Sequence, residues 1–84
     1  MTANSCTKTI NTKGEYVSVA TATGLTLTSG KTYNMQIQNP AYLKVANAEF
    51  RFDNDKFDYT ATDDTLYIKT DLPAVLTILE VKGA

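Results

Sequence analysis

The amino-acid sequence predicts an all-β fold, a single small antiparallel β-sandwich or barrel of about eight short strands. Three observations carry that prediction. Apolar and polar residues alternate with the two-residue period of a half-buried strand in one short run after another. Clusters of glycine, proline, asparagine and aspartate interrupt those runs at close, regular spacing. Threonine, whose β-branched side chain suits strands and whose hydroxyl tolerates water, supplies 14 of the 84 residues. A chain of this length holds one hydrophobic core.

Residues 1–13, "MTANSCTKTINTK", are polar apart from Ile10 and the initiator methionine, and read as a loosely docked N-terminal arm. Residues 14–84 then form the β domain. After Gly14, "EYVSVAT" sets Val17 and Val19 on one face against Tyr16 and Ser18 on the other. Gly24 ends that strand, and "LTLTSG" directs Leu25 and Leu27 inward and Thr26 and Thr28 outward. Ser29-Gly30-Lys31 turns into "YNMQIQN", where Tyr33, Met35 and Ile37 alternate with the amides Asn34, Gln36 and Gln38.

Asn39-Pro40 stops this strand, because proline offers no ladder donor and restricts the residue before it. "AYLKVAN" points Leu43 and Val45 one way and Tyr42 and Lys44 the other. "EFRFDN" alternates Phe50 and Phe52 with charged neighbours. Asp53-Asn54-Asp55-Lys56 reads as a hairpin turn into "FDYTAT". Asp63-Asp64 turns again into "TLYIKT", with Leu66 and Ile68 inward, and Asp71-Leu72-Pro73 is the last breaker. In "AVLTILEV", Val75, Leu79 and Val81 share one face and Leu76 and Ile78 the other. A strand apolar on both sides is internal to a fold or covered by a partner. No segment shows a helical repeat with caps.

The composition removes several function classes from consideration. A net charge of −1 with scattered basic residues gives no electrostatic reason to expect nucleic acid or an anionic membrane. Without histidine, and with Cys6 as the only cysteine, an ordinary zinc site, a catalytic thiol–imidazole pair and an internal disulfide are all ruled out. No signal peptide is expected, no apolar run reaches the roughly 20 residues that span a bilayer, and the glycines form no phosphate loop. The sequence therefore predicts a soluble chain, made inside the cell, with no catalytic residue, no cofactor and no metal. "DNDKFD" has calcium-like letters but not the spacing of a calcium loop, and turn formation accounts for the same residues.

Two groups remain as interface candidates. Tyr16, Tyr42 and Tyr67 fall out of phase with the apolar residues of their strands, which predicts an outward position suited to a protein interface, or to a sugar or base. Asn34, Gln36 and Gln38 form an uncharged row. Amides lose less on desolvation than charged groups and both donate and accept, so a face of amides, threonines and tyrosines suits a partner chain.

Read together, "GEYVSVATATGLTLTSGKTYNMQIQN", "AYLKV", "LYIKT" and "LTILE", spanning Gly14 to Glu80, resemble small virion structural proteins of tailed bacteriophages. Those proteins share a strand ending in glycine-lysine-threonine-tyrosine, a "QIQN"-like strand and a late "D-x-LYIKT" element. The resemblance implies a β-rich head decoration or head/tail accessory protein, without catalysis, that coats or stabilises the particle. It implies virion proteins as partners (a major capsid or tail protein), a homo-oligomer, and synthesis in the bacterial cytoplasm. The other functions compatible with the residues are a carbohydrate-binding or adhesion module built on the outward tyrosines, and a regulatory domain with a host-protein target.

Overall fold

The computed structural model describes residues 5–81. In chain order the elements are β1 (Ser5–Ile10), β2 (Val17–Ser18), α1 (Val19–Thr23), β3 (Thr32–Gln38) and β4 (Ala41–Val45). They continue with β5 (Ala48–Phe52), β6 (Asp55–Thr60), β7 (Leu66–Lys69) and β8 (Ala74–Glu80). Two four-stranded antiparallel sheets result, ordered β1-β8-β3-β6 and β2-β7-β4-β5. The fold is all-β, as the alternation predicts.

The topology is that of one long hairpin rolled up. β1 pairs with β8, β2 with β7, β3 with β6 and β4 with β5, and the roll is closed by β3 lying beside β8 and β4 beside β7. An eight-stranded sandwich of two sheets in this order is a jelly roll. The hairpin tip is Ala46-Asn47, between Val45 and Ala48, which face each other across the ladder. Ala46 takes φ 53°, a left-handed conformation that a β-carbon disfavours.

The core forms where the inward positions of the sheets meet. Tyr33, Met35 and Ile37 of β3 and Leu76 and Ile78 of β8 face Ala41 and Leu43 of β4 and Leu66 and Ile68 of β7. Tyr33, Met35, Ile37, Ile68 and Ile78 have no exposed surface. The buried Tyr33 hydroxyl is not wasted: it accepts the Thr28 N–H at 2.7 Å.

Four expectations are corrected. Ser5–Ile10 is not a loose arm but an edge strand in six-residue register with β8, and Ile10 is buried in the core. An edge strand of this kind needs a single deep anchor, so its composition looks like that of a frayed terminus. Residues 1–4 of the expected arm lie outside the described residues. Residues 25–28 make no strand. Their alternation survives in half-buried Leu25 and Leu27, but the backbone is held by Thr23 Oγ1, which accepts the Leu25 N–H at 3.1 Å, and by Tyr33.

A short helix replaces the second half of the predicted "EYVSVAT" strand. Ser18 caps it, its Oγ accepting the Thr21 N–H at 3.1 Å, and Gly24 closes it at φ 79°. Finally, Asp53-Asn54 joins no hairpin. β5 and β6 belong to different sheets, and the turn carries the chain across the sandwich. Its aspartates and asparagine serve the turn itself: Asp55 Oδ2 accepts the Asp53 N–H at 2.8 Å, and Asn54 Oδ1 accepts the Asn39 N–H at 3.1 Å.

One polar pair ties β1 to the rest. Thr70 is fully buried, and its Oγ1 accepts the Thr12 N–H at 3.0 Å while donating to the Ile10 carbonyl at 3.3 Å. In return Thr12 Oγ1 accepts the Thr70 N–H at 2.8 Å. Every buried polar group in the pair is thus satisfied by the other residue or its neighbour.

Thr70→Val keeps the shape but leaves the Thr12 N–H without its acceptor, and is expected to cost about 1–3 kcal/mol in urea unfolding. A midpoint equal to that of wild type would contradict the role given to this pair. Ala46→Gly removes the left-handed strain at the hairpin tip and, after the added chain entropy of glycine, is expected to stabilise by about 0.5 kcal/mol. A lower melting midpoint in that variant would show the tip to be unstrained.

Candidate functional site

The six candidate residues do not form one surface. Tyr16, Tyr42 and Tyr67 point outward from the β2-β7-β4-β5 sheet or its approach, whereas Asn34, Gln36 and Gln38 point outward from β1-β8-β3-β6. Two packed sheets stand about 10 Å apart, so these groups occupy opposite sides of the sandwich. The expected single face of amides and tyrosines is corrected to two faces of different chemistry.

On the tyrosine side, "YLK" in β4 and "YIK" in β7 lie antiparallel in a register that sets Tyr42 opposite Lys69 and Lys44 opposite Tyr67. β5 extends the pattern, with Arg51 opposite Tyr42 and Glu49 opposite Lys44. The result is a checkerboard of rings and charges. The Lys69 ammonium lies 4.8 Å from the Tyr42 centroid and 5.0 Å from that of Tyr16, and the Lys44 ammonium lies 5.5 Å from Tyr16. Such contacts contribute about 0.5–1 kcal/mol each at exposed sites. The Tyr16 hydroxyl donates to the Glu49 carboxylate. Partial burial, with that hydrogen bond and the charge of Glu49, pushes the Tyr16 phenol from 10.0 up to about 12.

Sequence reasoning found these tyrosines outward but missed the lysines as their partners. The two Tyr-x-Lys spacings were the available signal, since residues two apart share a strand face. The consequence is chemical. Rings already carrying an ammonium present less free face for stacking on a sugar.

The opposite face reads differently. Its register gives three rows across the sheet: Ser5, Leu79, Asn34 and Asp58; then Thr7, Thr77, Gln36 and Lys56; then Thr9, Val75 and Gln38. Among the described residues these rows place charge only on β6, at the edge. Part of this face is satisfied within itself: the Thr7 and Thr77 hydroxyls are joined at 3.2 Å, and Asn34 Nδ2 donates to the Asp58 carboxylate at 3.0 Å. Leu79 is 48% exposed in the middle of this polar but uncharged field. The two-sided apolarity of β8 therefore resolves into a core side, with Leu76 and Ile78, and an outer side, with Val75 and Leu79.

Among the described residues no group of three acidic, cysteine or histidine side chains is placed to hold a metal ion, and no helix is long and apolar enough to cross a membrane.

No protein-family model matches the chain, and no curated protein sequence does. Among solved structures the chain is similar to "a de novo designed double-stranded beta-helix", determined by solution NMR. The two are 15% identical, with a TM-score of 0.66 over 93% of this chain and 99% of the design. At that identity the likeness concerns the fold alone, and it agrees with the rolled-hairpin strand order.

The raised Tyr16 value has a stability consequence. Its neutral form is favoured in the folded state, so the contribution is complete below about pH 10 and is lost as pH rises towards about 12. Alkaline titration of unfolding stability is expected to show this fall in wild type and a shallower one in Tyr16→Phe. Identical slopes for the two proteins would remove Tyr16 as its source.

Proposed function

We propose that this chain is a non-catalytic structural module of a phage particle, a head decoration or head/tail accessory protein, docking through the outer face of the β1-β8-β3-β6 sheet. The observation that carries the docking surface is the uncharged centre of that face, where Leu79, Val75, Thr77, Gln36 and Gln38 stand in register. Charged side chains resist desolvation, whereas apolar and amide groups lose little when a partner excludes water. The assignment to a phage particle rests on the sequence resemblance over Gly14 to Glu80.

Size supports a repeated rather than a solitary contact. Four strands spaced about 4.8 Å apart and rising about 3.3 Å per residue cover on the order of 400 Å². A standard stable interface buries about 800 Å² per partner, so one such face holds weakly. Copies arrayed by particle symmetry, including contacts between copies of this chain, multiply a weak contact into a durable coat.

Gln36→Glu with Gln38→Glu adds two charges to this face without touching the core. Particles of a tailed phage carrying this gene, banded on a density gradient, are expected to bear the wild-type protein and to lose at least about tenfold of the doubly substituted one. Absence of the wild-type protein from such particles would overturn the phage assignment. Equal loading of both proteins would overturn the assigned face.

A further inference from the structure

The sandwich is open along one flank. β5 and β6 follow each other in sequence, yet each is the last strand of its own sheet, and neither has a strand partner on its outer edge among the described residues. Phe52 and Phe57 bridge the sheets beside the Asp53-Asn54 turn, stacked at 4.3 Å. Beside that clasp lies a groove of about 170 Å³. Its walls are wholly apolar: Phe50 and Phe52 from β5, Phe57 and the Tyr59 ring from β6, with Leu43 and Leu66 as the floor. Phe50 occupies an inward position of its strand and is nevertheless 49% exposed, because none of the described residues closes over it.

Two further observations say what fits. The groove adjoins, at Tyr59 and Leu66, a second cavity of about 190 Å³ whose lining includes Thr62, Asp63 and Asp64. The Tyr59 hydroxyl, which belongs to a residue lining both, is buried without a hydrogen-bond partner among the described residues. The flank is also the acidic part of the molecule. From Ala48 to Asp64, six carboxylates (Glu49, Asp53, Asp55, Asp58, Asp63 and Asp64) stand against Arg51 and Lys56, a net charge of −4 in a chain of net charge −1. The remainder of the chain is positive.

We propose that this flank is a docking groove for an extended peptide segment of a partner protein, in which a bulky apolar residue is flanked by lysine or arginine two positions away. The apolar side chain fills the dry groove. The segment lies along the free edge of β6, as in strand addition, where residues two apart project to the same side about 7 Å apart. That spacing carries the basic side chain from Phe57 and Tyr59 towards Asp63 and Asp64. An acidic peptide meets the same groove and is repelled, so selectivity comes from the rim and affinity from the groove. This surface is separate from the uncharged sheet face, and the inference does not depend on the phage assignment.

The test uses short acetylated peptides with a central phenylalanine, a lysine two positions to either side and threonine elsewhere, followed by fluorescence anisotropy and amide chemical shifts. Saturable binding is expected, with shifts centred on Phe57, Tyr59 and Asp64, and with affinity falling as salt rises. Exchanging the lysines for glutamate, or Phe50→Ser in the protein, is expected to weaken binding by at least about tenfold. Phe50 is half exposed, so the serine variant retains the fold, and circular dichroism checks that it does. Tyr59→Phe provides an independent control: it should stabilise the free domain by removing a buried unpaired hydroxyl, and keep peptide affinity within about twofold because the ring that lines the groove is retained. No binding, equal affinity for the lysine and glutamate peptides, wild-type affinity in Phe50→Ser, or shifts confined to Gln36 and Gln38 would each overturn the proposal.

Discussion

The structure depends on the pairing of β8 between β1 and β3. Leu76 and Ile78 complete the core from this strand, and its two edges supply ladder bonds to residues some forty and seventy positions earlier in the chain. β3 cannot bury Met35 and Ile37 fully without β8 beside it, and β1 has no other strand to join. Contacts between such distant segments must overcome a large loop-closure entropy before they stabilise anything. The sheet therefore forms as a cooperative whole. The reciprocal Thr12–Thr70 bonds add a second tie at the place where the chain leaves β1 for the opposite sheet.

Rolling a hairpin into two sheets leaves its flanks unequal. One flank is bounded by β1 and the short β2, and is crossed by the chain between them and by α1. The other is bounded by β5 and β6, which are linked by the Asp53-Asn54 turn and by the stacked Phe52 and Phe57. An exposed sheet edge invites pairing with another chain. On this flank the carboxylates favour the proposed basic segment over an acidic one.

The two outer faces divide the remaining surface chemistry. On the β2-β7-β4-β5 side, Tyr16 and Tyr42 carry the Lys44 and Lys69 ammonium groups over their rings and Tyr16 donates to Glu49, so charge and ring are paired across this face. On β1-β8-β3-β6, threonine pairs and amides surround Leu79 and Val75 with hydrogen-bonding groups that remain available at β3. The first face is costly to desolvate. The second is not, and that difference in desolvation is the physical basis for assigning the docking role to it.

The sequence by itself determined seven of the eight strands, the short β2 as the first half of a longer predicted strand: β3, β4, β7 and β8 alternate in phase with their buried residues, and β5 and β6 do so with less burial. It also determined that Tyr16, Tyr42 and Tyr67 face outward, since strand parity alone decides the side on which a residue projects. Tertiary structure decided what local pattern leaves undetermined. Ser5–Ile10 is a strand because β8 offers it a ladder, not because its composition is strand-like. Leu25 and Leu27 alternate without a strand because side chains, not a neighbouring ladder, hold this backbone: Thr23 Oγ1 accepts the Leu25 N–H and the Tyr33 hydroxyl accepts that of Thr28. Whether Asp53-Asn54 folds back within a sheet or crosses between sheets depends on which partner β6 finds, and β3 lies twenty residues away. The same holds for the surfaces: parity places a side chain above or below its strand, but only sheet order decides that amides and tyrosines look in opposite directions and that Phe50 lines an open groove.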